Sequence, residues 1–130
     1  MEDIKKTGKV STFRELNVYK SAFDTAMEIF HKTKFFPGEE KYSLVDQIRR
    51  SSRSVCSNLA EAWRKRRYPA VFVHKLSDCA QEAAETQTWL EFALQCQYFS
   101  KDEFVKLDER YEHIFAMLTT MERKSATFCK

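Results

Sequence analysis

The chain has 130 residues and a mass of 15.4 kDa, which predicts a single domain with a hydrophobic core. It carries 22 basic and 19 acidic residues, so the net charge of +3 alone indicates no particular partner. Only two glycines and two prolines are present. A sheet-rich domain needs more turn-forming residues, and a glycine-rich nucleotide-binding loop is excluded. The composition therefore favours long helices joined by few turns.

The N-terminal segment, 1–12, is polar and lacks periodicity, which predicts a flexible tail. A first helix is predicted over about 14–34, because apolar residues recur there at spacings of three and four. Phe36-Pro37-Gly38 predicts the end of this helix and a turn. We expect the buried face of the first helix to consist of Leu16, Tyr19, Phe23, Met27 and Phe30.

A second helix is predicted over about 44–67, with Ser43 as its N-cap and Asp46 in its first turn. A third is predicted over about 69–98, because proline suits the first helical position. The expected core positions of these two helices are Leu44, Ile48, Val55, Leu59 and Trp63, then Phe72, Leu76, Ala80, Ala83, Leu90 and Leu94.

A fourth helix is predicted over about 101–124, where Ser100 and Glu103 form a capping-box pattern. Its apolar positions follow the same spacing and are Phe104, Leu107, Tyr111, Ile114, Leu118 and Met121. The residues at 125–130 are expected to fray. Short connections favour antiparallel neighbours, so the sequence predicts an all-α fold, an antiparallel up-down-up-down four-helix bundle over 13–124.

Basic residues are concentrated in the second helix. Projected at about 100° per residue, Arg49, Arg53, Arg64 and Arg67 form a stripe opposite the core positions. Arginine suits phosphate oxygens, and clustered positive charge favours nucleic acid through counterion release. A solvated face, with cations complementing the helix C-terminus, is the alternative interpretation. The candidate nucleic-acid contacts are Arg49, Arg50, Arg53, Arg64, Lys65, Arg66 and Arg67.

The second helix also has a face of small and polar residues, which allows close approach of another helix or subunit. Carboxylates of the third helix are candidates to pair with Arg49 or Arg50 across the bundle or across an interface. A partly hydrated polar face explains the same pattern. The candidate oligomer or inter-helix contacts are Ser51, Ser54, Asn58, Glu61, Glu82 and Glu85.

No catalytic, cofactor-binding or metal-binding pattern is present. A di-iron bundle needs two Glu-x-x-His motifs, and Glu28-x-x-His31 is the single match. The cysteines are too widely spaced for a local zinc knuckle and are expected to be small core residues. Without a signal peptide or an apolar span, we expect a cytoplasmic protein with reduced thiols, no membrane contact and no enzymatic activity.

Polar motifs along most of the chain carry a resemblance to a known family. They are Phe13-Arg14-Glu15-Leu16, Val18-Tyr19, Phe36-Pro37, Tyr42-Ser43-Leu44, Gln47-Ile48-Arg49-Arg50-Ser51-Ser52, Ser54-Val55, Asn58-Leu59-Ala60-Glu61, Glu82, Glu85-Thr86-Gln87 and Trp89-Leu90. Over about 13–121 the chain resembles the four helix bundle protein family, also called the ribosomal RNA intervening-sequence protein family. Two positions depart from its pattern: Ala62 and Gln97 stand where glycine is common, and both changes favour helix.

The resemblance implies a small bacterial bundle that assembles into a homo-oligomeric ring, typically a pentamer. It also implies an architecture similar to that of the accessory variability protein of diversity-generating retroelements, a basic pentameric barrel that binds nucleic acid and a reverse transcriptase. Two hypotheses follow. The first is a non-enzymatic ring that binds structured RNA or DNA through the basic stripe. The second is a protein-interaction module with no direct role in nucleic-acid binding.

Overall fold

A computed structural model describes residues 10–129 and confirms the all-α bundle. Each long helix packs against the next, and the first also packs against the fourth, so the bundle closes. The most extensive contact joins the second and third helices. None of the helices described is long and apolar enough to cross a membrane. The long helices are α1 (Asn17–Thr33), α2 (Leu44–Arg64), α3 (Pro69–Gln95) and α4 (Lys101–Arg123).

Three short helical segments complete the described chain. These are the 3₁₀ segments Phe13–Glu15 and Gly38–Glu40 and a final short helix, α5 (Ser125–Phe128). Phe128 stacks on Phe72 with ring centroids 6.2 Å apart, so the segment that was expected to fray includes a helical turn that contacts α3. The predicted tail lies outside the described residues up to residue 9, and Val10 packs partly against the core.

The apolar pattern of α2 and α4 predicted their core positions correctly. Ile48, Val55 and Leu59 are fully buried in α2, and α4 buries five of its six predicted positions: Leu107, Tyr111, Ile114, Leu118 and Met121. The capping box of Ser100 and Glu103 is also confirmed, with both reciprocal hydrogen bonds formed. In α3 the buried residues are Phe72, Leu76, Cys79, Ala83, Thr86, Leu90 and Ala93.

The predicted buried face of the first helix is correct at Leu16, which is buried just before α1 begins, and wrong at two other positions. Phe23 is 47% exposed and Met27 is 40% exposed, although both were expected in the core. The face that packs into the bundle is lined by smaller and β-branched residues, namely Val18, Ala22, Thr25, Ala26, Ile29 and Thr33. Small side chains let α1 approach its neighbours closely, and the large apolar residues consequently face solvent.

Glu40 holds the connection between α1 and α2. Ser43, the predicted N-cap, makes no capping hydrogen bond with its side chain. Its hydroxyl donates instead to Glu40 Oε1 at 2.6 Å, and the Leu44 N–H donates to the same oxygen at 3.3 Å. The Tyr98 hydroxyl donates to Glu40 Oε2 at 2.8 Å. One carboxylate therefore caps α2 and ties it to the residues that follow α3.

Gln97 ends α3 in a left-handed conformation, with φ of 65°. The Tyr98 N–H donates to the Ala93 carbonyl at 2.8 Å, and the Gln97 N–H donates to the Leu94 carbonyl at 2.9 Å. This pair of bonds is a Schellman motif, which usually places glycine at the left-handed position. The expectation that Gln97 would extend the helix is therefore wrong, whereas Ala62 is buried inside α2 as expected.

Two of the four cysteines lie in the core, as expected, and two do not. Cys56 and Cys79 are buried, Cys96 is exposed and Cys129 is half-buried. Burial raises the pKa of Cys56 to about 11 and that of Cys79 to about 12. Both buried thiols are therefore protonated at neutral pH.

Replacing Gln97 with glycine is expected to stabilise the bundle by about 1 kcal/mol, because a left-handed conformation strains a residue with a Cβ atom. Urea denaturation of Gln97→Gly measures this gain. The control, Gln81→Gly, changes an exposed glutamine in the interior of α3 and is expected to cost about 1 kcal/mol. A loss of stability in Gln97→Gly would contradict the proposed strain.

Hydrogen bonds from Ser43 and Tyr98 lower the pKa of Glu40 below its ordinary value of 4.5. A carboxylate with a lowered folded-state pKa stabilises the fold at pH above 4.5, and this contribution is lost as the pH falls below that value. Glu40→Gln should therefore destabilise the protein at pH 7, and its deficit against the parent should shrink towards pH 3. Urea denaturation across this range checks the trend.

Glu39→Gln is the matched control, because Glu39 is exposed and accepts no side-chain hydrogen bond from the described residues. Its difference from the parent protein should be small and nearly independent of pH. A Glu40→Gln deficit that stays constant from pH 7 to pH 3 would show that the carboxylate charge is not the stabilising group.

Candidate functional site

The predicted arginine stripe is divided into two groups. Helix α2 ends at Arg64, so Lys65, Arg66 and Arg67 lie in the turn that follows and do not extend the stripe. Arg53 and Arg64 are separated by eleven positions, about 16 Å along the helix axis. The sequence placed this helix end three residues too late.

Arg49 anchors α2 to the last turn of α1. Its Nε donates to Thr33 Oγ1 at 2.9 Å, and its Nη2 donates to the Phe30 carbonyl at 3.3 Å. The guanidinium also lies 4.6 Å from the centre of the Phe30 ring. Partial burial and then the charge of Arg53 lower the pKa of Arg49 below the ordinary value of an arginine. Arg49 is thus a structural residue as well as a source of charge.

A groove along the N-terminal half of α2, which we call the basic groove, has a volume of about 550 Å³. Asp46 is the one acidic residue in its lining. None of the groove cations lies within 4 Å of a carboxylate oxygen belonging to residues 10–129. The groove is lined by Lys41, Tyr42, Val45, Asp46, Arg49, Arg50, Arg53, Ser54 and Ser57.

The second group of cations lies at the other end of α2. Arg66 packs over Trp63 at 3.7 Å from the ring centroid and donates to the Trp63 carbonyl at 3.0 Å. The guanidinium of Arg67 lies 5.7 Å from the centre of the Tyr68 ring. Arg64 and Lys65 are exposed and line a shallow groove with Phe13, Ala60, Glu61 and Lys75.

Two of the predicted contact residues join α2 to α3. The hydroxyls of Ser51 and Thr86 lie 2.8 Å apart in the core. Glu61 accepts a hydrogen bond from Lys75 Nζ at 2.7 Å. By contrast, Asn58 donates to the Ser54 carbonyl at 2.9 Å, so this bond stays within α2.

The two predicted carboxylates of α3 form no ion pair with Arg49 or Arg50 in the part of the chain that is described. Glu85 accepts a hydrogen bond from Trp89 Nε1 at 3.3 Å. Partial burial, and then the charge of Glu85, raise the pKa of Glu82, while the charge of Arg50 opposes this shift. Glu82 therefore lies close enough to Arg50 for the guanidinium charge to affect its pKa, although the two side chains form no ion pair.

Sequence reasoning missed three residues at the basic groove. Phe30 was expected in the core, but its ring is half-buried beneath Arg49, Arg53 and Lys34. Lys41 and Tyr42 were not singled out as contacts, because they precede the helix and fall outside its periodicity. The signal available in the sequence was a lysine followed by an exposed type of aromatic residue, tyrosine, between a turn and a basic helix.

Among residues 10–129, no three His, Cys, Asp or Glu side chains are grouped so that they could hold a metal ion.

Comparisons with known proteins identify a family and a related fold. The family model described as "23S rRNA-intervening sequence protein" matches residues 14–120. A similar solved structure is a protein of unknown function from the S23 ribosomal protein family of Bacteroides thetaiotaomicron, with a TM-score of 0.74 and 27% sequence identity. The match covers 82% of this chain and 95% of that one. A comparison with curated proteins finds no match.

Replacing Arg49 should destabilise the protein, because two hydrogen bonds between α1 and α2 are lost with the charged donor. We expect Arg49→Ala to cost about 2 kcal/mol in the free energy of unfolding. Arg50→Ala is the matched control, since Arg50 is exposed and makes a single 3.4 Å bond to Gln47; it should change stability by less than about 0.5 kcal/mol. Equal effects of the two substitutions in urea denaturation would contradict the anchoring role.

Proposed function

The chain belongs to the 23S rRNA-intervening sequence protein family, and from this premise we propose that it is a cytoplasmic, non-enzymatic ring protein that binds nucleic acid. The observation that carries the proposal is the basic groove. Its exposed cations, Lys41, Arg50 and Arg53, share one surface and pair with no carboxylate of the described residues. Phosphate oxygens are suitable partners for such charges, because each contact releases counterions and guanidinium can donate two parallel hydrogen bonds.

Assembly is supported by the exposed face of α1. Tyr19 and Phe23 are stacked with ring centroids 6.0 Å apart, and Met27 continues the same face. Contiguous apolar surface of this kind is typical of a protein contact. A ring joined through this face would repeat the basic groove in every subunit, so that weak phosphate contacts act together. Five subunits is the number that the family resemblance implies.

The second cation group, at Arg64 to Arg67, adds positive charge that begins about 16 Å along the helix axis from Arg53. We assign it a secondary role, because Arg66 already packs on Trp63 and donates to the Trp63 carbonyl. A long nucleic acid could contact both groups at once. The basic groove remains the primary site in this proposal.

A protein-interaction module is the alternative function, and a surface on α3 favours it. Glu82 and Glu85 lie beside Trp89 and Phe92, whose rings are 5.9 Å apart, and Phe92 is exposed. This acidic and aromatic surface is complementary in charge to the basic groove of a second copy. A protein partner such as a reverse transcriptase, suggested by architectural analogy, belongs to this alternative.

Removing two groove cations tests the proposal. For Arg50→Ala/Arg53→Ala we expect roughly tenfold weaker binding of an RNA hairpin or a DNA duplex at about 50 mM salt. The slope of log affinity against log salt should become shallower by about 1.8 on the DNA duplex, as expected for two lost phosphate contacts. Fluorescence anisotropy over a series of salt concentrations measures both quantities.

The control, Lys101→Ala/Lys106→Ala, removes the same charge from the exposed start of α4 and should bind like the parent. Light scattering on each variant reports the size of the assembly. Two results would favour the alternative function: no binding of either nucleic acid at low salt, or a smaller assembly when the groove arginines are removed. Equal losses in both double variants would show a general charge effect without a defined site.

A further inference from the structure

We propose that the basic groove takes unpaired nucleotides of a single strand, with the ring of Tyr42 stacking on a base. This inference rests on the proposed function and specifies the form of nucleic acid that the groove binds. The residue that distinguishes it from general phosphate binding is an aromatic side chain at the groove, exposed to solvent and flanked by cations.

Tyr42 has the exposure that a stacking residue needs. It lies immediately before α2, is 84% exposed and lines the basic groove. The Lys41 ammonium lies 5.3 Å from the centre of its ring, so a positive charge already stands beside the aromatic surface. A base stacked on this ring would place its own phosphate close to a cation. Bases stack on aromatic side chains with little dependence on sequence.

Phe30, the other aromatic ring at this surface, is already occupied. The guanidinium of Arg49 lies 4.6 Å from its centroid and that of Arg53 lies 5.7 Å away, while Lys34 Nζ lies 4.8 Å away. Three cations therefore cover the half-buried ring of Phe30, whereas the more exposed ring of Tyr42 has Lys41 alone beside it among the described residues and can be reached by a base. Arg50 and Arg53, farther along the groove, are placed to receive the neighbouring phosphates.

Stacking on a side chain requires a base that is not already stacked in a duplex. Protein recognition of RNA bases through aromatic rings accordingly takes place mostly in single-stranded loops and ends. The groove beside Tyr42 has a volume of about 550 Å³ and one acidic residue in its lining, so cations are available for the phosphates next to a stacked base. The exposed aromatic ring therefore favours a single strand.

The test compares three probes with the full chain: a 12-nucleotide single-stranded RNA, a DNA strand of the same sequence and a blunt-ended RNA duplex that contains the same strand. Fluorescence anisotropy gives the affinity of each. Tyr42→Leu should bind both single strands about tenfold more weakly, which corresponds to the loss of one stacked base, while its affinity for the duplex stays within twofold. Tyr42→Phe keeps the ring and should retain the affinity of the parent for all three.

Phe35→Leu is the matched control. Phe35 is also an exposed aromatic residue between α1 and α2, but it lines a different groove with His31 and Lys32. It should leave all three affinities unchanged, and thermal melting should show that every variant is folded. Loss on the RNA strand but not on the DNA strand would overturn the inference, because a DNA base has the same aromatic face and would lose the same stacking contact.

The outcomes separate the two proposals. If the parent binds none of the probes at low salt, the proposed function fails and the stacking inference fails with it. If the parent binds all three and Tyr42→Leu weakens none, or weakens them equally, the stacking inference is overturned and the proposed function stands. If Tyr42→Leu instead reduces the size of the assembly in light scattering, Tyr42 is a subunit contact and the inference is likewise overturned.

Discussion

Packing of α2 against α3 fixes where the charges of the molecule lie. Ile48, Val55 and Leu59 are fully buried, and the hydroxyls of Ser51 and Thr86 meet at 2.8 Å in the same interface. An α-helix that buries one side this completely must present its remaining positions to solvent or to α1. The arginines of α2 occupy those positions. Burial of the opposite face of the helix therefore determines that they point away from the core.

The arginines then differ in what they contact. Arg49 is used to hold the end of α1, whereas Arg50 and Arg53 keep most of their hydrogen-bonding capacity for other partners. The same short stretch of α2 thus contributes both to the stability of the bundle and to its charged surface. Substitution of Arg49 would therefore combine a loss of stability with a loss of groove charge, whereas substitution of Arg50 or Arg53 removes charge alone.

The sequence predicted the elements whose signals are local and repeated. In α4, the apolar spacing and the reciprocal cap agree with each other, and both are confirmed. In α1, Phe23 and Met27 were predicted in the core but are exposed, because the helix packs through small residues such as Ala22. The spacing of apolar residues does not show how closely two helices approach each other. The end of α2 and the left-handed Gln97 depend on tertiary contacts, which a single sequence does not display. Lys41 and Tyr42 reach the basic groove for the same reason, since the turn at Glu40 brings them there.

The cysteines differ in their accessibility to solvent, so the reactivity of their thiols reports opening of the bundle. Cys96 is exposed and open to an alkylating reagent in the folded protein, whereas Cys56 and Cys79 are shielded and protonated. Because one shielded thiol lies on α2 and the other on α3, their modification requires separation of the helices that set the direction of the arginines. The rate at which they are alkylated therefore measures how often this central interface comes apart.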